Sequence, residues 1–294
     1  MFNRGPLWPA QLDHIRIDSE QPAPLISFYR DAMGMTPVEL DDGTVLMQAP
    51  ARRILIGRGV SGAQPFMAFK LQTEPQLDAL RRHISNRGLK ALPSPTAIFA
   101  SGAFAVRDPD GRLVVFGLPR TDLPFPDQTA LPAAKLPGRL QHVVVASTEL
   151  AAMLRFYEED LGFVVSDYVF EDDSGGEPTA GFFRSDPEHH TFAAFRCPET
   201  RPDHHAYEAT CWNDIRDWAD HLATLGIKLW WGPGRHGQSL LHDPGPARLL
   251  DRDLGRTGNN AGPLDETILE ARRAHAQPLG FGLHAKLTTS VLSH

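Results

Sequence analysis

Positive charge is in short supply. The 294 residues carry 29 Lys and Arg against 36 Asp and Glu, a formal net charge of −7. Nucleic acid and anionic membrane surfaces select a basic face, so neither is the expected partner. Cysteine is scarce as well. Cys197 and Cys211 are too few for a disulfide framework and fit a reducing compartment. No run of about 18 apolar residues occurs, and residues 1–9 hold no apolar stretch of the kind a secretion signal needs. The expectation is a soluble, cytoplasmic protein. What is present in quantity is apolar residues, at 41%, enough to bury a sizeable core, and His, at 13. The length suits two domains of ordinary size.

An internal repeat organises the chain. Residues 12–35 (LDHIRIDSEQPAPLISFYRDAMGM) align without a gap with residues 140–163 (LQHVVVASTELAAMLRFYEEDLGF), at an offset of 128, the separation of His14 and His142. Each copy reads as a short strand, a helix carrying Phe-Tyr, and a Gly stop. Residues 66–92 align with residues 204–230 at an offset of 138, with Gly88 meeting Gly226 and Lys90 meeting Lys228. Between these blocks, residues 44–56 and 181–193 read as paired strands around Pro50 and Pro187. Repetition on this scale marks duplicated architecture. The expected fold is α+β, built of tandem βαβββ modules that form two domains. The first covers residues 1–119 and is non-catalytic. Residues 120–138, with Pro124, Pro126, Pro132 and Pro137, form a linker. The second domain covers residues 139–252 and carries the metal site.

The two copies have kept different side chains. A mononuclear non-haem iron site needs two imidazoles and a carboxylate on one face, with open positions for substrate and oxygen. In the second copy His142 lies on the first strand of the module and His204 on the first strand of its second half. Internal two-fold symmetry would bring these strands together, so the pair can share a metal. In the first copy the matching residues are His14 and Phe66, and Phe cannot ligate. Val115 stands where that copy would need its third ligand. A lone strand His is more often a satisfied core or surface residue than a ligand; the paired positions of His142 and His204 are what shift the balance. His189, His190 and His205 lie near them in sequence. On a strand His189 and His190 would face opposite ways, so that one alone enters a site and the other is exposed. A polar edge-strand pair is the competing reading for these two.

Four segments carry a family resemblance: Leu140-Gln141-His142-Val143, His189-His190-Thr191, residues 203–208 (DHHAYE), and residues 232–237 (GPGRHG). With them the second copy resembles the catalytic domain of the type I extradiol ring-cleavage dioxygenases, members of the vicinal oxygen chelate (glyoxalase/bleomycin-resistance/dioxygenase) superfamily. The first copy resembles that family's non-catalytic N-terminal domain. The resemblance implies that His142 and His204 ligate Fe(II), with Mn(II) as the other metal. It implies that His190 is the acid/base and that His236 hydrogen-bonds bound oxygen or substrate. The implied partners are a catechol-type aromatic diol and O₂, and the implied assembly is a homo-oligomer. A non-catalytic small-molecule-binding member of the superfamily and a glyoxalase-like isomerase or lyase are the other functions open to these modules.

The chain departs from the family after Gly237. The family pattern of a DPxG turn followed by a Glu ligand falls here on Asp243-Pro244-Gly245 and then on Leu250, which cannot bind metal. Asp251 is one residue late, and one step along a strand points to the other face, so it is a doubtful third ligand. Codons for residues 242–257, read one base later, permit an Arg-Asp-Pro-His-Gly turn like the one at residues 107–111, with Glu at the ligand spacing. A small deletion near Gln238 is the expectation drawn from this, and with it a missing third ligand, weak iron retention and low or absent ring cleavage in the chain as given. Residues 253–294 would then be an atypical tail without selected strand periodicity, with a helix over residues 265–275, where Glu266, Glu270, Arg272 and Arg273 have helical spacing.

Overall fold

The computed structural model describes residues 5–123, 131–171, 176–227 and 229. The first module runs β1 (Gln11–Ser19), α1 (Pro22–Asp31), β2 (Thr36–Glu39), β3 (Val45–Ala49), β4 (Arg52–Arg58), β5 (Phe66–Lys70), α2 (Glu74–Asn86), β6 (Leu92–Pro93), β7 (Phe104–Arg107) and β8 (Leu113–Gly117). The second runs β9 (Arg139–Ser147), α3 (Leu150–Arg155), β10 (Val164–Val169), β11 (Ala180–Arg184), β12 (Phe192–Arg196), β13 (Arg201–Glu208) and α4 (Trp212–Thr224). The first sheet has the order β2-β3-β4-β1-β5-β8-β7-β6. The second, among the described residues, has β10-β11-β12-β9-β13. In both, the first strand lies parallel to one neighbour (β4 or β12) and antiparallel to the other (β5 or β13). The repeat read from the sequence is therefore a repeat of topology.

Local chemistry explains the elements. Pro22 opens α1, where a missing N–H costs nothing, and Leu25 and Tyr29, four apart, form its buried stripe. Thr73 caps α2 by accepting from the Gln76 N–H. In the second module α3 continues as a π-helical turn, Phe156–Asp160, which buries Phe156 and Tyr157. The Gly stops are real. Gly34 (φ +58°) and Gly162 (φ +82°) take left-handed backbone that favours glycine. A Cβ on Gly34 would also lie 2.3 Å from the Ala133 carbonyl carbon.

That contact holds residues 133–134 against the first module. Residues 132–135 form a 3-10 turn with Ala133 buried. The buried Arg52 guanidinium donates to the carbonyls of Leu136 (2.8 Å), Ala133 (3.1 Å) and Gly138 (3.2 Å). It lies 5.1 Å from the Trp218 ring centre, and the Trp218 indole N–H donates to Pro137 O at 2.7 Å. Burial pulls the Arg52 guanidinium down to about 10.

The largest apolar cluster runs through both modules, with Phe69 of β5 edge-on to Phe163 at 5.3 Å. Polar contacts cross in matched pairs. Leu140 N donates to Ala51 O (3.0 Å), and Ala10 N donates to Ser185 O (2.7 Å), so β9 and the residue just before β1 are each tied to the other module's hairpin. His83 of α2 bonds Asp160 O at the end of the π turn (3.0 Å), and His221 of α4 bonds Asp31 O at the end of α1 (3.1 Å). Burial raises the Asp108 carboxyl to about 6 against the opposing pull of Arg112. It accepts from the Tyr157 hydroxyl of the second module at 3.3 Å. Among the described residues no helix is long and apolar enough to cross a membrane.

Candidate metal centre

One face of each sheet presents a histidine from a bulge. In β1 the partners of Leu12 and His14 are consecutive residues of β5, so Asp13 is the extra residue. In β9 the same happens at Gln141, between Leu140 and His142. In β13 it happens at Asp203, between Pro202 and His204. A bulge re-aims the side chain next to it and is common beside functional sites. Here each bulge residue also holds the ring that follows. His14 Nδ1 donates to Asp13 Oδ2 (2.8 Å), His142 Nδ1 to Gln141 Oε1 (2.5 Å) and His204 Nδ1 to Asp203 Oδ2 (2.7 Å). An imidazole that gives its Nδ1 proton to an oxygen acceptor keeps its lone pair on Nε2, which is how metal-ligating histidines are commonly oriented.

The two faces then diverge. In the first module His14 Nε2 accepts from the Thr96 hydroxyl at 2.9 Å. Its ring is edge-on to Phe99 (4.9 Å) and Phe66 (5.8 Å). Phe66 and Val115 belong to an apolar cluster with Leu46, Leu55 and Ile98 that fills this face. Burial opposes ionisation of Asp13, but the His14 hydrogen bond and the charges of Arg53 and Lys70 outweigh it and hold the carboxyl below its usual range. In the second module β9 and β13 bring the His142 and His204 rings to 5.5 Å, centre to centre, and the His190 ring lies 4.3 Å from His142. Among the described residues the apolar lining is Val144, Ala180, Phe182 and Ala193, with Val169 and Phe195 packed against them. His205 points the other way. It meets Tyr29 Oη at 3.2 Å, and burial pushes its imidazole down to about 3.

His189 and His190 do not sit on a strand. They close the loop of residues 185–191 between β11 and β12, and both are buried. Strand alternation therefore does not separate them, and His189 is not the exposed member of a pair. Their Nδ1 atoms lie 2.9 Å apart, and His189 Nε2 reaches Asp167 Oδ2 at 2.6 Å. The loop is pinned by side chains. Gln141 Nε2 donates to His190 O (2.6 Å), Ser166 Oγ donates to His189 O, and Arg139 pairs with both Glu188 and Glu208. Gln141, Asp203 and Asp167 escape a reading of the chain for ligands. The one signal for the first two is a hydrogen-bonding residue directly before each histidine.

The donor set accords with a divalent cation at its imidazole pair. Among the described residues no group of three His, Cys, Asp or Glu is gathered for a metal. His236, the GPGRHG loop, Asp251 and the tail with its expected helix all lie outside the described residues.

Known proteins place this geometry in a family. The model of the glyoxalase/bleomycin resistance protein/dioxygenase superfamily matches residues 11–116 and 139–245. A metapyrocatechase of Pseudomonas sp. (strain CF600) is 26% identical over 231 residues, covering 72% of this chain and 74% of its own. A 3-methylcatechol 2,3-dioxygenase of Pseudomonas putida F1 is 24% identical over 173 residues, 56% of this chain and 60% of its own. Among solved structures, the 2,3-dioxygenase LapB from Pseudomonas sp. KL28 shares the fold with a TM-score of 0.64 at 18% identity, covering 77% of this chain and 84% of its own. The Mn(II)-bound glyoxalase from Novosphingobium aromaticivorans does so with 0.60 at 23%, covering 77% and 74%. With both modules matched in register, the chain belongs to the glyoxalase/bleomycin resistance protein/dioxygenase superfamily.

Proposed function

We propose that the second module is the centre of an extradiol dioxygenase, which opens a catechol-type diol with O₂ at Fe(II) or Mn(II) held by His142 and His204. The observation that carries this reading is the pair of rings 5.5 Å apart, each with Nδ1 engaged by its own bulge residue. The curated relatives named as catechol dioxygenases support the substrate class. The third donor in this reading is a carboxylate outside the described residues, with Asp251 as the candidate. When bound, the metal supplies adjacent positions for diol and oxygen and a path for electrons between them. His190 takes a hydroxyl proton from the diol and returns it to the oxygen side, a task suited to an imidazole. Phe182, edge-on to His190 at 5.1 Å, and Val144 give the aromatic ring an apolar wall. His236 donates a hydrogen bond to the substrate or oxygen. In this reading the assembly is a homo-oligomer.

The test is metal content together with oxygen uptake on a panel of catechols. The expected result is weak metal retention by the chain, abolished in His142→Gln and His204→Gln, with low uptake that follows the metal. Metal and diol bound without uptake would replace this reading with a non-catalytic binding module. Turnover without oxygen would replace it with a glyoxalase-like isomerase. A version of the chain with the shifted frame restored from residue 238 is expected to hold iron more tightly. Equal retention would sink the deletion hypothesis.

A further inference from the structure

The loop of residues 185–191 ends on a chain of hydrogen bonds that the proposed chemistry does not use. It begins at Asp167 on the edge strand β10, whose side chain is 40% exposed. A register shift between Val165 and Asp167 turns that strand locally, and the carboxylate meets His189 Nε2 at 2.6 Å. His189 Nδ1 in turn meets His190 Nδ1 at 2.9 Å. His190 stands 4.3 Å from His142, centre to centre.

Proton placement along this chain is constrained. A carboxylate only accepts, so His189 carries its proton on Nε2. A neutral His189 then offers a lone pair at Nδ1. Two lone pairs cannot face each other at 2.9 Å, so the proton between the rings belongs to His190 Nδ1. That leaves the His190 lone pair on Nε2, at the far end of its ring. This is the tautomer a base needs there. An imidazole in water prefers the opposite one, with the proton on Nε2, so something must hold His190 in the less favoured form. The backbone bonds from Gln141 and Ser166 fix where the two residues sit. They do not choose a tautomer.

We propose that Asp167 and His189 are positioning residues that hold the His190 ring in its Nδ1–H tautomer, with the accepting nitrogen at Nε2. The inference deepens the dioxygenase reading, because it gives His190 its accepting atom. It can nevertheless be read without turnover. The first module has no counterpart, since β3 and β4 are joined by Pro50 and Ala51 alone.

The decisive measurement is nitrogen NMR of the full chain, labelled with ¹⁵N-histidine and stripped of metal by a chelator. Signals are assigned by their loss in His189→Gln and His190→Gln. In the wild type, His190 should show a protonated Nδ1 and an unprotonated Nε2. In Asp167→Asn the amide can donate as well as accept, so His190 should drift at least about tenfold toward the Nε2–H form, and Asp167→Glu should restore it. A His190 carrying its proton on Nε2 in the wild type, or unchanged populations in Asp167→Asn, would overturn the proposal. If Asp167→Asn fails to fold, His189→Gln tests the same step at His190. Oxygen uptake gives the second readout. For Asp167→Asn, kcat should fall roughly 10–100-fold, the range for residues that orient a functional imidazole, with KM little changed and recovery in Asp167→Glu. Tautomers that follow Asp167 in a chain without uptake would sink the dioxygenase reading and leave this one standing. Uptake with tautomers indifferent to Asp167 would do the reverse.

Discussion

The two histidine-bearing faces start from the same device and end as different objects. Each has a bulge that aims a histidine inward and a neighbour that holds its Nδ1. In the first module Thr96 takes the other nitrogen, and Phe66, Phe99 and Val115 pack the space around it. In the second module a second bulge brings in His204, and a long hairpin loop brings in His190. The difference shows what separates a structural histidine from a candidate ligand. Burial and a fixed tautomer are common to both. A second imidazole within reach of the same point, in place of a phenyl ring, is not.

The strongest way to break the comparison is to remove the imidazoles one at a time. His142→Gln and His204→Gln should each lower metal retention by at least roughly 100-fold, beyond the usual effect of losing an orienting partner. His14→Gln should leave it unchanged, with metal analysis after dialysis as the check. Metal loss on changing His14 would mean that the wrong face has been assigned.

The next effect concerns Asp108, which joins the turn before β8 to Tyr157 of the other module. Its folded carboxyl titrates near 6 against 3.8 for the free group, with burial as the main cause. A raised carboxyl pKa means the folded form binds the proton more tightly. Stability should therefore fall as pH rises from about 4 to 6 and then level off, by at most about 3 kcal/mol. Asp108→Asn should flatten that slope in denaturant titrations, and a slope that survives the change must come from another group.

His14→Ala should cost about 2 kcal/mol at neutral pH, because it leaves the buried Asp13 carboxylate without its nearest donor. Asp13 is held low in the folded state, so the stability it contributes is present above the unfolded value and lost as pH falls through the folded one. The deficit of His14→Ala against wild type should accordingly shrink in strong acid. The smallest effect belongs to Ser185→Ala, which removes the hydroxyl bond to Ala10 O at 2.8 Å. About 1 kcal/mol is expected in thermal or denaturant unfolding.

Much of the fold is legible in the chain because duplication prints each element twice. The strand–helix–Gly unit, the hairpins at Pro50 and Pro187 and the adjacency of His142 to His204 all follow from aligning the copies. The bulges do not. An extra residue is a property of two paired strands, and Asp13, Gln141 and Asp203 look like ordinary strand positions in a one-dimensional pattern. The placement of His189 and His190 was illegible for a related reason. Their loop is held by Arg139, Gln141 and Ser166, residues remote in sequence, so local alternation carries no information about it.

Ser185 accepts the Ala10 N–H on its carbonyl and gives its hydroxyl to the Ala10 carbonyl. The loop that ends in His190 is thus riveted at its first residue to the stretch just before β1. The half of the molecule with no imidazole pair is the footing of that loop. A shift of the stretch before β1 is therefore a shift of the loop that carries His190.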